Sequence, residues 1–273
     1  MSHGQYFDHF GIFTHNSLGV LDISSYFTYL GILGQDIDAS FAIIKELGYD
    51  GIYLKNLNNT NVMRFDDKTC QAILSASRKY GLPIISLFSN VGCVDPQLLD
   101  GISDDLKRIL MLAEYFKVES VRIVPAVYKE PVDRYRSRVL LHIVKCANAI
   151  VDCGLTPLIE PAIDNFAYDI SETFSILDEV KQLKLIYDPS GLIINKRIDP
   201  NVEYWPYFSE RTYVVEYKDT LGGYPVRPGD GDCHWNKFKG FNNILVDHCM
   251  INNLNKLESV KLNTQLAKSI KGI

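Results

Sequence analysis

The stretch L-T-P-L-I-E-P, residues 155–161, is an apolar run that ends in a carboxylate, Glu160, just before a proline. Two later stretches share the design. L-K-L-I-Y-D-P (183–189) ends on Asp188, and T-Y-V-V-E-Y-K-D (212–219) carries Glu216, Lys218 and Asp219. Short, nearly all-apolar runs suit parallel strands that are covered on both faces. Three in succession, each ending in an acid, put several carboxylates on one rim of a sheet.

Outward from these three runs, strand and helix patterns alternate along the chain. Further strands are expected at 7–14, 50–55, 82–88, 120–125 and 257–262. Helices are expected at 36–47, with Asp36 or Asp38 as cap and Gly48 as stop, and at 66–80, closed by Gly81. Others follow from Ser103 to about residue 116, over 132–153 before Gly154, near 170–182, near 236–250 and over 264–272, with a short helix inside 199–210. Residues 15–35 are long for a connection and suit a lid or part of a pocket wall. The polar run I-N-N-L-N-K (251–256) interrupts the last two units. Eight strands alternating with eight helices, without a linker, predict an α/β chain forming one domain over residues 1–273. That domain is a single (β/α)8 TIM barrel, a fold of typically about 250 residues. An open doubly wound sheet is the runner-up. It lacks support because no G-x-G-x-x-G follows the first strand.

Bulk properties narrow the function classes. The chain has 273 residues, 47% of them hydrophobic, enough for a large core. A net charge of -5 offers no broad cationic field, which argues against nucleic-acid binding. Six cysteines (Cys70, Cys93, Cys146, Cys153, Cys233, Cys249) include no C-x-x-C pair, so neither a zinc knuckle nor a redox dithiol is indicated. There is no signal-type apolar segment and no run near ~18 apolar residues, so no membrane partner is expected and the cytoplasm is the default compartment.

In a barrel of this type the C-terminal strand ends carry the active site. Glu160, Asp188 and Glu216 should therefore converge. Like charges that close raise one another's pKa unless a cation lies between them. An oxygen-rich set suits magnesium, manganese or calcium better than zinc. The competing reading is that such acids cap the next helix or pair with a loop lysine or arginine. Lys218 would hold oxyanion charge or orient Glu216, or else pair structurally with Asp219 or Glu216. Lys55 ends strand two on the same rim, and His15 follows the expected first strand. Arg227 suits an anionic substrate group, with a solvated loop charge as the alternative, and His234 stands beside Trp235 after a glycine-rich loop, with ordinary loop packing as the alternative. Arg122 lies inside a strand, where a barrel-facing charge must pair with an acid. His142 and His248 fall in helical patterns and read as structural.

The order of these motifs resembles the xylose-isomerase-like barrel superfamily of sugar and sugar-phosphate isomerases and epimerases. The carriers are the strand ending in Glu160, then I-Y-D-P-S, V-V-E-Y-K-D and P-G-D-G-D-x-x-W, with G-Y-D-G-I-Y-L at 48–54. The likeness runs over most of 36–235. It implies that Glu160 is both metal ligand and acid/base and that Asp188 is a ligand. The family's strand-seven pattern is usually H-x-K-D, with the His as ligand; here Glu216 holds that place. Its His three residues after the strand-six acid is Gly191 here, and its G-E-G loop is G-D-G, centred on Asp230. Its last ligand, usually a Glu ending strand eight, aligns with Asn263.

The expectation is a metal-dependent sugar or hydroxy-ketone isomerase or epimerase that takes a proton next to a carbonyl through a metal-stabilised enediolate. Manganese or magnesium is the first choice of metal, with cobalt or iron as alternatives. The partner is a small polyhydroxylated substrate, and a homo-oligomer is compatible with the sequence. If Asn263 replaces a second glutamate, two-base epimerisation gives way to one-base isomerisation, a dehydratase-type reaction or a non-catalytic barrel that binds a small molecule or partner protein. A DNA-repair endonuclease on the same fold would need many rim histidines, and the whole chain has six.

Overall fold

Eight short strands close into a parallel barrel in the computed structural model, which describes residues 25–33, 36–101, 103–162, 164–167, 169–196, 204–235, 243–247 and 255–269. The strands are β1 (Ser25–Tyr29), β2 (Gly51–Leu54), β3 (Ile84–Phe88), β4 (Ser120–Arg122), β5 (Thr156–Ile159), β6 (Lys184–Tyr187), β7 (Thr212–Tyr217) and β8 (Asn243–Val246). Each pairs in parallel with the next, and β8 returns to β1 with Asn243 opposite Ser25. Helices α1 (Ile37–Glu46), α2 (Asp67–Tyr80), α3 (Ser103–Phe116), α4 (Val132–Asp152), α5 (Ile170–Glu179) and α6 (Pro189–Lys196) follow strands one to six. A short α7 (Trp205–Phe208) precedes β7, and α8 (Lys256–Ser269) follows β8.

Local chemistry sets the helix boundaries. The Asp36 side chain caps α1 by accepting from the Ala39 N–H at 2.9 Å, and Asp66 caps α2 through Thr69 at 2.8 Å. Gly81 closes α2 at φ 61°, a conformation that needs no Cβ.

The strand pleat divides the core in two. Phe27, Tyr29, Tyr53, Ile85, Phe88, Leu158, Ile186, Val214 and Leu245 form one buried cluster, fed by seven of the eight strands, that fills the barrel. A larger cluster packs the outer strand faces against the helices, with Ile159, Leu185, Tyr187, Val215 and Val246 among its strand members. Side chains alternate along a strand, so the residue two places after an inward one also faces inward. Two places after Leu158, Ile186, Val214 and Leu245 stand Glu160, Asp188, Glu216 and Asp247. An apolar floor thus carries an acidic layer on top of it, at the C-terminal rim.

The two chain ends correct the sequence reading. The strand expected at 7–14 lies outside the described residues. The first barrel strand is Ser25–Tyr29, inside the segment assigned to a lid or pocket wall. The eighth is Asn243–Val246, within the stretch expected to be helical at 236–250. Residues 257–262 belong to α8 and not to a strand, and no break separates them from the helix expected to start at 264. Buried positions Ser259, Val260, Asn263, Thr264 and Ala267 recur at intervals of three and four, the helical period. The start of α8 is fixed by a capping box: Glu258 N–H donates to Asn255 Oδ1 and Asn255 N–H to Glu258 Oε2, each at 2.9 Å. Among the described residues, no helix is long and apolar enough to cross a membrane.

Candidate active site

Four strand ends deliver four carboxylates to one small volume. One oxygen each from Glu160, Asp188 and Glu216 lie within 4.8 Å of one another. Glu216 is fully buried, and Asp188 and Glu160 are nearly so. Asp247, after β8, joins them through Lys218. The Lys218 Nζ is 3.0 Å from Asp188 Oδ2, 3.2 Å from Glu216 Oε2 and 3.5 Å from Asp247 Oδ2. Burial pushes the Asp188 carboxyl up to about 6; the Lys218 ammonium pulls against that shift, and the charges of Glu216 and Glu160 add to it. Burial alone would lower the Lys218 pKa, but the surrounding carboxylates hold it well above its ordinary value.

Arg122 ends β4 and forms an ion pair with Glu160, both side chains nearly buried. A second guanidinium nitrogen donates to the Ser89 carbonyl at 3.2 Å, and the group lies 5.4 Å from the centre of the Phe88 ring. The barrel-facing arginine has the acid that its burial demands. On the opposite side, Tyr29 Oη donates to Glu216 Oε1 at 3.0 Å. Burial raises the Tyr29 pKa, helped by Glu216, Glu160 and Asp247, so the phenol stays a donor. Lys55 reaches over the Tyr29 ring, its Nζ 5.4 Å from the centroid.

One departure from the expected motifs, Gly191, has a visible steric setting. Asp188 folds back onto α6, where the Gly191 N–H donates to its Oδ1 at 3.0 Å. A Cβ at Gly191 would stand 2.6 Å from Asp188 Oδ2, so no larger side chain fits there with the carboxylate in this seat. Asp219 serves the loop rather than the rim cluster. Its carboxylate accepts the backbone N–H groups of Thr220, Gly229, Gly231 and Cys233, at 2.8–3.2 Å. These bonds pin the hairpin Asp219–Leu221/Tyr224–Val226 and the glycine loop beside the rim. A Cβ at Gly231 would meet Asp219 Oδ1 at 2.3 Å, which explains the second glycine of G-D-G.

The structure therefore brings together Glu160, Asp188, Glu216 and Lys218, with Lys55 at the edge. Asn263 is not part of the group. It lies buried in α8, Lys256–Ser269, and so does not end a strand. Arg227 is held by Asp230 in an exposed two-point ion pair, at 2.7 and 2.6 Å, within its own loop. His234 is exposed, at φ 43°. His15 lies outside the described residues. His142 is buried in α4 as expected for a structural residue, and His248 lies outside the described residues. Two functional candidates escaped the sequence reading. Asp247 closes N-I-L-V-D, the same apolar-run-plus-acid design as the other rim strands. Tyr29 closes S-Y-F-T-Y, an ordinary strand pattern.

Comparison with known proteins agrees with this fold. A family described as "xylose isomerase-like TIM barrel" matches residues 41–248. No curated protein matches the chain. Among solved structures, the probable 3-DHS dehydratase AsbF from Bacillus anthracis superposes with a TM-score of 0.72 at 12% identity, covering 90% of this chain and 99% of its own. The IOLI protein "with a binding zinc atom" gives 0.73 at 13% identity, covering 91% and 98%. The 3-keto-D-glucoside 4-epimerase YcjR from E. coli gives 0.68 at 14% identity, covering 90% and 99%.

Proposed function

The chain belongs to the xylose isomerase-like TIM barrel family, and on that premise we propose that it is a divalent-metal-dependent isomerase or epimerase of small sugars or hydroxy-ketones. The observation that carries the proposal is the trio Glu160, Asp188 and Glu216, whose oxygens lie within 4.8 Å at the ends of three consecutive strands. A hard, oxygen-only donor set fits manganese or magnesium first and cobalt or iron after them. The rise in the Asp188 pKa has the sign expected of a buried carboxyl beside two other acids that a further cation would relieve. The structural neighbours lend support: one is described with zinc, one as an epimerase and one as a probable dehydratase.

Glu160, Asp188 and Glu216 would hold the ion, which as a Lewis acid would polarise the substrate carbonyl. Glu160 takes the proton from the adjacent carbon, and Arg122 fixes the direction of its carboxylate. Lys218 and the Tyr29 hydroxyl present donors toward the oxygen that gains charge. Asp247, and not Asn263, ends strand eight, so a second carboxylate is available and two-base epimerisation regains its place beside one-base isomerisation and dehydration.

A non-catalytic barrel is the second reading, favoured by Arg122 and Lys218 already neutralising part of the acid cluster. Metal analysis of protein purified without chelator separates the two. The enzyme reading expects a stoichiometric divalent ion, lost in Glu160→Gln, and deuterium wash-in from D₂O into a ketose of a test panel. Absence of metal, with a melting temperature that Mn²⁺ does not move, would sink it.

A further inference from the structure

Lys218 occupies the centre of the carboxylates that the proposed ion would use. An ammonium has three N–H donors and no acceptor. Here it has three acids around it, Asp188, Glu216 and Asp247, at 3.0, 3.2 and 3.5 Å. Two of these acids belong to the trio that would hold the ion. The third member, Glu160, pairs with Arg122. Every rim carboxylate therefore has a cationic partner from the chain itself. An ion bound at about 2.0–2.1 Å to the oxygens of Asp188 and Glu216 that face Lys218 would lie within about 5 Å of its Nζ. The ion and the ammonium would then draw on the same carboxylate oxygens while repelling each other.

We propose that Lys218 is a built-in competitor for the divalent ion. Entry of the ion expels the ammonium from between Asp188 and Glu216 and turns it toward the substrate space. The rim then alternates between a lysine-neutralised and an ion-neutralised arrangement. Lys218 becomes free to bind substrate oxygen only in the second, so the ion precedes the substrate. This inference rests on the metal-dependent reading but makes a separate demand, the release of the Lys218 ammonium when the ion binds, which a lysine that stayed in its seat would not show.

The test is calorimetric titration of the full-length, chelator-stripped protein with MnCl₂, comparing wild type with Lys218→Met and Lys218→Arg. Removing the competitor is expected to tighten Mn²⁺ binding by about tenfold or more, within the usual range of coupling between linked ligands. Lys218→Arg, which keeps the charge, should stay near wild type. Reductive methylation read by mass spectrometry supplies a measurement on the wild type if Lys218→Met does not fold. Lys218 should label slowly without Mn²⁺ and several-fold faster with it. Equal or weaker Mn²⁺ binding in Lys218→Met, or labelling unchanged by bound Mn²⁺, overturns the competitor role and leaves the metal reading standing. If neither wild type nor Lys218→Met binds Mn²⁺, the metal-dependent reading falls and takes this inference with it.

Discussion

Two side-chain arrangements decide how the acids are held. The first is the pair Arg122–Glu160, both groups nearly buried. Removing one partner strands a charge, and breaking such a pair typically costs about 3–5 kcal/mol. Arg122→Met should therefore lose stability of that order in urea denaturation. Arg122→Met combined with Glu160→Gln should recover more than half of the loss, since no bare charge remains. If the two losses simply add, the groups are not coupled. The second is the seat of Asp188 on the Gly191 N–H. Alanine is a better helix former than glycine by about 1 kcal/mol. Its Cβ, however, would crowd Asp188 Oδ2 at 2.6 Å and break a hydrogen bond to a buried carboxylate, worth about 1.5–3 kcal/mol. The loss outweighs the gain, so Gly191→Ala should melt a few degrees below wild type. A variant that melts at or above wild type would mean that the carboxylate has another seat of equal energy.

Among the elements, the Asp219 hairpin makes the clearest prediction. One carboxylate gathers four backbone N–H groups from both ends of the glycine loop. Asparagine offers an amide NH₂ where two of those donors point. Asp219→Asn should cost about 2–3 kcal/mol and sharply raise hydrogen exchange at whichever pair meets the amide NH₂, Gly229 and Gly231 or Thr220 and Cys233. Unchanged protection at those amides would remove Asp219 from its role as anchor. Element by element, the middle of the chain was readable because its cues are local. Asp36 and Asp66 cap where a short polar side chain precedes an apolar period, and Gly81 stops α2 by conformation alone. The runs ending at Glu160, Asp188 and Glu216 expose both strand and site in one pattern. The ends were misread for a physical reason. L-E-S-V-K-L taken alone passes for a strand; the Asn255–Glu258 capping box, which starts in the polar run, and the three- and four-residue spacing of Val260, Asn263, Thr264 and Ala267 mark a helix. That misassignment drew the eighth strand past N-I-L-V-D and put Asn263 where Asp247 belongs. The Arg122–Glu160 pair joins neighbouring strands β4 and β5, and Tyr29 reaches Glu216 past β8; both depend on strand order and register, which no single run encodes.

For the whole molecule, two buried groups with opposite shifts shape the response to pH. Burial pushes the Asp188 carboxyl from 3.8 up to about 6. Between about pH 4 and 6 the folded state keeps a proton that the unfolded chain releases, so this group makes stability fall as pH rises through that window. His142 goes the other way. Burial in α4 lowers it from 6.5 to about 4, against the pull of a hydrogen bond with the Val124 backbone. There the unfolded chain binds a proton that the folded state refuses, so stability falls as pH drops from about 6.5 toward 4. The windows overlap, and the slopes offset. Exposed carboxylates held low by partners, such as Asp66 and Asp95, add acid sensitivity mainly below that range. Wild-type melting temperature should change little between pH 4.5 and 6, a range set by these two shifts. Asp188→Asn should expose the His142 slope and melt progressively lower as pH falls, while His142→Gln should leave the opposite slope. Parallel curves for all three proteins would show that neither group titrates in the window. Adding Mn²⁺ should change the sign of the Asp188 contribution, because a carboxylate ligand must be ionised to bind. With the ion present, wild-type stability should rise with pH across the interval where, without it, the two slopes offset.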